Sequence, residues 1–366
     1  MLQQGRDNFE SRAERIEWID EAKGIGIVLV MLGHCYLHRK FCFWFYSFHM
    51  ALFFFLSGYT FSRKERYDRF LKKKIQTLLV PYLFFVIVTM LCNGVLAITH
   101  GNSYDVLDIA KQYLIQNRYT LLWFITCLFL AEQAMYVLSI LNSKYGKNRF
   151  WLISFAIALI VFYLYRISID IDLPWNADLT ILGTAFMCLG QWCKNSKCFT
   201  TYFAKPNMLL CLGVVVCLIA SALNYKYFTK VDWYSDCWGN PILFVIAAIS
   251  GIIAVISISM LKNNKILVAV GKNSLMYYGL HRIVIDLMFV VYGKLGIEII
   301  NTSWSAVGFA MIDVLVSICV ITPFNLFILK YMPWCLGRKK VKVKNDKYYN
   351  CLLYTSPSPR DRSLSR

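Results

Sequence analysis

Two histidines in consecutive apolar segments are the residues of this chain best suited to do chemistry. His34 ends the run IGIVLVMLGH, and His49 opens the run HMALFFFLSGY. Ionisable side chains at membrane depth are costly and by default mark functional sites. A neutral imidazole can accept a proton from a hydroxyl group or carry a transferred group covalently. We therefore predict catalytic roles for both; the alternatives are a structural hydrogen bond for His34 and helix packing for His49.

Helical spacing places further polar residues on the face that carries His34. Asp20, Lys23 and Gly24 lie on that face, and Asp20 can pair with Lys23 where the helix enters the membrane. His34 lies about 16 Å further along the axis, in the middle or outer half of the apolar layer. The next span runs antiparallel, so His49 can approach His34 in depth. Ser57, two turns beyond His49, faces the same way and precedes a glycine that lets helices come close.

A strongly basic loop follows the second apolar segment. Within RKERYDRFLKKKIQTLLVPY, Arg69, Lys72 and Lys73 share one face of a predicted helix, Lys74 follows, and Pro81 ends or kinks the helix. One interpretation is contact with anionic lipid head groups. The other is a clamp for the phosphates of a cytoplasmic polyanion.

Other polar residues within apolar segments need partners inside the bundle. Trp123, Glu132 and His281 are predicted, with Ser57, to line a cavity, although tryptophan more often anchors a helix at the membrane interface. Arg282 and Asp286 are spaced to form an internal ion pair.

Composition defines the class of protein that must position these residues. The 366 residues are 58% hydrophobic and 16% charged, which predicts an all-α polytopic membrane protein. We predict about ten transmembrane helices, near 18–37, 41–62, 75–99, 119–141, 150–165, 177–193, 207–225, 241–261, 274–293 and 304–329. Lys and Arg concentrate in alternate loops, which places both termini in the cytoplasm. This topology explains the net charge of +18 without a nucleic-acid partner.

The predicted organisation is a cytoplasmic segment at 1–17, a transmembrane domain at 18–340 and a basic tail at 341–366. Residues 354–366, YTSPSPRDRSLSR, resemble a translated sequencing adapter and are set apart as an artefact. The 13 cysteines are scattered and form no C-x-x-C pair, so neither a metal site nor a disulfide framework is expected.

The order of the motifs resembles the acyltransferase-3 family of integral membrane acyltransferases. The pattern R-x4-D-x2-K-G-x9-H runs from Arg15 to His34, FHMALFFFLSGYTF follows, and R-x2-KKK-x6-PY begins at Arg69. The later segments GTAFMCLGQWCK and VGKNSLMYYGLHRIVI are also similar to family motifs. Among members of this size, the chain looks most like O-acetyltransferases of cell-envelope carbohydrates related to fucose 4-O-acetylase.

The resemblance implies a function and roles for residues. A cytoplasmic acyl-CoA, expected to be acetyl-CoA, would donate to a carbohydrate hydroxyl at the outer face of the inner (plasma) membrane, with no bound cofactor. His34 would fall on the catalytic histidine, and the donor would be handled by the residues Arg15, Asp20, Lys23, Arg69, Lys73 and Lys74. The alternative function is a transporter or flippase for a polysaccharide precursor, which would need a polar path through the bundle.

Overall fold

The computed structural model describes residues 17–99, 103–146, 148–196, 205–261 and 264–338. Arg15, most of the segment 1–17 and the tail 341–366 lie outside the described residues. The described helices are α1 Glu17–His34, α2 Arg39–Tyr46, α3 His49–Thr60, α4 Tyr67–Lys74, α5 Val80–Thr99, α6 Val106–Ile115, α7 Trp123–Tyr145, α8 Arg149–Ser168, α9 Ala177–Lys194, α10 Pro206–Tyr227, α11 Pro241–Leu261, α12 Lys265–Lys272, α13 Ser274–Lys294 and α14 Trp304–Tyr331. The predicted all-α polytopic fold is confirmed.

Helices occupy all ten predicted segments, but eight helical segments of the described chain are long and apolar enough to cross a membrane. The two that fall short are α1, whose first half carries four charged residues, and α9, which holds Asp178 and Lys194 near its ends. Both are extensively buried among other helices, so their polar residues face protein. The predicted second span, 41–62, is divided into α2 and α3.

Helix α1 lies among several helices of the bundle. It packs against α3, α11, α12 and α13. At its crossing with α12, a Cβ atom on Gly271 would overlap the backbone carbonyl of Asp20, so a side chain there would force the helices apart. Asp20 is 3% exposed at this crossing. The face predicted from spacing is confirmed as buried at Asp20, Gly24, Ile27 and Met31.

A second close crossing joins α3 to α9. A Cβ atom on Gly58 would overlap the backbone of Met187, so the two helices meet backbone to backbone. Close approach at small residues is the usual means of helix packing in membranes, where burial against lipid-like neighbours gives little driving force. The predicted role of the Ser57-Gly58 pair as a helix contact is confirmed at Gly58.

The basic loop forms α4, which continues through a π-helical turn at Ile75–Leu79 into α5. Pro81 is the second residue of α5. A proline removes one helical hydrogen bond. The helix widens into the π-helical turn just before Pro81 and continues, whereas the sequence suggested an end or a kink. The basic helix and α5 therefore form one segment of 33 residues.

Two buried arginines tie several loops together near the ends of α8 and α9. Arg118 lies 2.5 Å from Asp178 and 2.6 Å from Asp172. Arg166 pairs with Asp236 and lies 3.4 Å from Asp178. Because the two arginine side chains are 9% and 8% exposed, these ion pairs are poorly screened by water. They fix the loop 228–240 against α8 and α9.

Candidate active site

A cavity of about 500 Å³ lies where α1, α3, α5, α7 and α13 meet the loop 228–240. Three of the predicted site residues line it, and they come from three different helices: His34, His49 and Trp123. Its other walls are formed by Tyr46, Met50, Thr89, Asn93, Tyr113, Thr120, Leu121, Leu122, Asp232, Trp233, Tyr234, Tyr278, Gly279, Arg282, Ile283 and Asp286. His34 and His49 line the same cavity, in agreement with their predicted approach.

His34 is the last residue of α1 and is half-buried. Its imidazole makes no hydrogen bond with any residue that the structure describes. Its ring centroid lies 5.2 Å from that of His281. The Tyr46 hydroxyl donates a 2.7 Å hydrogen bond to the carbonyl of Gly33, which anchors the helix end beside His34. The ring therefore lines the cavity, where a ring nitrogen can meet a bound molecule.

His49 is held by its own helix turn. Its Nδ1 lies 2.8 Å from the carbonyl oxygen of Phe45. Since a carbonyl can only accept, Nδ1 carries the proton, and Nε2 of the neutral ring is left with a lone pair. Tyr46 packs edge-on against the ring at 5.0 Å. The packing role and the cavity role are thus combined in one side chain.

His281 lies behind His34 and does not line the cavity, contrary to its sequence prediction. It is fully buried, with Nδ1 2.9 Å from the carbonyl of Tyr277 and 2.8 Å from that of Tyr278. Nδ1 therefore carries the proton. Its Nε2 is buried without a hydrogen-bond partner among the described residues.

Aromatic rings form much of the cavity wall. Trp123, as predicted, lines the cavity, and it stacks on Trp233 at 6.4 Å. The Tyr278 hydroxyl bonds the backbone carbonyl of Leu121, so α13 is fastened to the start of α7. Flat aromatic walls with a few polar groups are typical of small-molecule sites.

The loop 228–240 contributes cavity residues that the sequence did not predict. Asp232, Trp233 and Tyr234 line the cavity, and Asp232 pairs with Lys230 at 3.1 Å. The Lys230 ammonium lies 3.7 Å from the ring centre of Tyr46, a cation–π contact that fixes the loop over α2. The run VDWYSDCWG, with two tryptophans and two acids in a short loop, was the available signal.

Two phenols of the site outside the membrane-spanning helices remain protonated at neutral pH. Burial raises the pKa of Tyr113 on α6, and Tyr119 nearby adds to the effect. Burial also raises the pKa of Tyr234, reinforced by the carboxylate of Asp232. Both side chains can therefore donate hydrogen bonds to a ligand.

The predicted ion pair of Arg282 with Asp286 is confirmed. Two nitrogens of the guanidinium lie 2.9 and 2.8 Å from the two carboxylate oxygens. The pair lines the cavity and is partly exposed, with 48% and 38% of the two side chains accessible. It is therefore a polar part of the cavity wall and not only an internal brace.

Besides His281, two further residues predicted to line the cavity lie elsewhere. Ser57 is half-buried near the crossing of α3 with α9. Glu132 accepts an ion pair from Lys74 at 2.7 Å, and its side chain is 7% exposed. The ion pair with Lys74 allows the Glu132 carboxylate to be buried inside an apolar helix. Its presence there therefore does not require a role in the cavity.

The residues predicted to bind a donor lie away from the cavity. Arg69 and Lys73 are exposed on α4, and Lys23 is half-buried on α1. These three residues do not line the cavity, and neither do Asp20 and Lys74. Thr89 of α5 does line the cavity, and it lies 15 residues beyond Lys74 in the same helical segment. At 1.5 Å per residue, this spacing corresponds to about 22 Å along the helix axis. The basic helix and the cavity are thus at different depths.

The fold is that of a polytopic membrane protein. The cavity lined by His34 and His49 is a candidate reaction or binding site inside the helical bundle. The family model of the acyltransferase domain, Acyl_transf_3, matches residues 16–322. The chain belongs to this acyltransferase-3 family and is a multi-pass membrane acyltransferase. No curated protein and no solved structure matches the chain. Similarity to fucose 4-O-acetylase stays a prediction.

Proposed function

We propose that the protein is an O-acyltransferase that moves an acetyl group from cytoplasmic acetyl-CoA to a hydroxyl of a cell-envelope carbohydrate in the inner (plasma) membrane. The observation that carries the proposal is the chamber lined by His34 and His49, in which the His34 ring and Nε2 of His49 make no hydrogen bond with the residues that the structure describes. Membership of an acyltransferase family favours a transferase over a transporter or flippase.

The chemistry needs one base at the acceptor hydroxyl. The hydroxyl oxygen attacks the thioester carbonyl carbon while His34 takes the hydroxyl proton. The new C–O bond forms, the C–S bond breaks, and the leaving thiolate recovers the proton from the imidazolium. In the alternative route a nitrogen of His34 attacks the thioester first and carries the acyl group to the hydroxyl. Both routes place His34 at the reacting atoms.

The chamber suits a sugar acceptor. Trp123 and Trp233 give the wall apolar surface as buried, mutually stacked rings, and Asp232, Asn93 and the Arg282–Asp286 pair offer hydrogen-bonding groups. A few polar groups on an otherwise apolar and aromatic wall can orient an uncharged ligand such as a sugar. His49, with its Nε2 lone pair, can accept a hydrogen bond from a second hydroxyl.

The donor phosphates would bind at α4. Arg69 and Lys73 are exposed there, and both suit phosphate oxygens. Lys74 is already neutralised by Glu132, which leaves its proposed donor role the weakest of the three. The pantetheine arm would cover the depth of about 22 Å from the basic helix to the chamber. Arg15, Asp20 and Lys23 remain proposed donor residues, on the resemblance alone.

The test measures transfer of labelled acetyl groups from acetyl-CoA to carbohydrate in membranes that contain the protein. Replacing His34→Ala is expected to lower turnover by about 10²- to 10⁴-fold, the usual contribution of a general base. The matched control is His38→Asn, because His38 caps α2 outside the chamber and asparagine preserves the cap. Unchanged turnover in His34→Ala, or carbohydrate movement without acetyl-CoA, would overturn the proposal.

A further inference from the structure

The buried Nε2 of His281 lies behind His34, outside the chamber, and the proposed chemistry leaves it unused. It has no hydrogen-bond partner among the described residues, and the ring is fully buried. A buried acceptor without a partner is costly, so native structures rarely keep one without a reason. The nearest ring is that of His34, at 5.2 Å between centroids.

The protonation of His281 is set by its backbone contacts. Its Nδ1 must donate, because both groups that it meets, the carbonyls of Tyr277 and Tyr278, are acceptors. Nε2 of the neutral ring is consequently an acceptor aimed away from its own helix turn. His34 has no partner within the described chain, and one of its two nitrogens carries a proton.

We infer that His281 is a positioning residue for His34: its Nε2 accepts the N–H of the His34 ring and leaves the second His34 nitrogen as the lone pair that faces the acceptor hydroxyl. This inference rests on the proposed function. Two imidazole rings with centroids 5.2 Å apart can bring one nitrogen of each to about 3 Å, the length of a hydrogen bond, when those nitrogens turn toward one another. In this structure the rings are tilted by 40° and the bond is not formed, so its formation requires a small rotation of the rings, and catalytic hydrogen bonds often align only when substrate binds.

The same bond stabilises the charged intermediate. When His34 takes the hydroxyl proton, its original N–H becomes the donor of an imidazolium to a neutral acceptor. Hydrogen bonds from charged donors are roughly twice as strong as neutral ones. His281 therefore acts through His34 and touches neither substrate, in the way that a buried acceptor orients the histidine of a catalytic triad.

The test compares two replacements of His281 in the full-length protein, by labelled acetyl transfer in membranes. His281→Gln keeps an acceptor oxygen near the position of Nε2, whereas His281→Phe keeps a ring without an acceptor. We expect His281→Phe to lower kcat by about 10- to 100-fold with KM for both substrates unchanged within about twofold, and His281→Gln to stay within a few-fold of wild type. If the Phe variant does not accumulate in the membrane, His281→Leu gives the same comparison.

A double variant separates positioning from packing. In a His34→Ala background, His281→Phe should cause no further loss of the residual rate, because residues that act through one another are not additive. An undiminished kcat in His281→Phe, equal losses in the Gln and Phe variants, or a full further loss in the double variant would overturn the inference. Wild-type activity in His34→Ala alone would instead overturn the proposed function.

Discussion

Lys74 and Glu132 form an ion pair, with Nζ 2.7 Å from Oε1, between the basic helix α4 and the long helix α7. Their side chains are 22% and 7% exposed. The pair therefore takes one lysine out of the basic triplet and gives the buried glutamate its partner. It fixes the orientation of α4, on which Arg69 and Lys73 remain exposed.

Breaking this pair should destabilise the bundle. Glu132→Leu leaves the ammonium of Lys74 without its partner, and we expect a loss of about 3 kcal/mol in stability, the lower end of the range for buried pairs, because Lys74 is partly exposed. The measurement is thermal unfolding of the detergent-solubilised protein.

The double variant Lys74→Met with Glu132→Leu should recover much of the loss, because two apolar side chains can replace a buried ion pair at little cost. Lys73→Met, which removes an exposed charge on the same helix, is the control and should leave the melting temperature unchanged. A melting temperature of Glu132→Leu equal to wild type would show that the pair contributes nothing to stability.

The proposed binding of the donor at α4 predicts a kinetic effect at Arg69. Arg69→Ala should raise KM for acetyl-CoA by about tenfold or more and change kcat little, because a lost charged contact to phosphate weakens ground and transition states alike. The control is Lys144→Ala, an exposed lysine near the end of α7. Equal KM values for the two variants would favour the lipid-contact interpretation of the basic loop.

The crossing of α3 and α9 predicts intolerance of any side chain at Gly58. Gly58→Ala should lower stability, since the added Cβ would overlap the backbone of Met187 and force the helices apart. Gly308→Ala in α14 is the matched control, because a Cβ there meets no neighbouring atom. Removing a helical glycine should stabilise that variant by up to about 1 kcal/mol. Equal melting temperatures for the two variants would contradict the close crossing.

The arginine network predicts a specific effect on the acceptor. Asp236→Asn removes the charge that pairs with Arg166 and should loosen the loop that carries Asp232, Trp233 and Tyr234. We expect KM for the carbohydrate to rise severalfold while KM for acetyl-CoA stays constant.

Asp170→Asn provides the control for this prediction. Asp170 pairs with the same Arg166 at 2.9 Å but is 66% exposed, so its loss should have little effect. The assay is acetyl transfer at varied carbohydrate concentration. Parallel increases in both KM values of Asp236→Asn would indicate a general loss of folding and not a change at the acceptor wall.

The sequence by itself determined the class and the ten main helical segments, and it singled out His34 and His49, which line one cavity. Apolar runs of about 20 residues have few alternatives to membrane helices, since every backbone polar group must be satisfied internally. The spacing on α1 correctly placed Asp20 and Gly24 on the buried face that leads to His34. A histidine in an apolar run is costly without a role, which made His34 and His49 recognisable before their chamber was known.

Only the tertiary structure decided which residues meet. The pairing of Lys74 with Glu132, the contact of His281 with His34 and the arginine network join residues that are distant in the chain. The cavity wall at 232–234 lies in a loop whose position depends on these long-range contacts. Periodicity reports which face of a helix is buried, but the partner across that face is set by packing of the whole bundle.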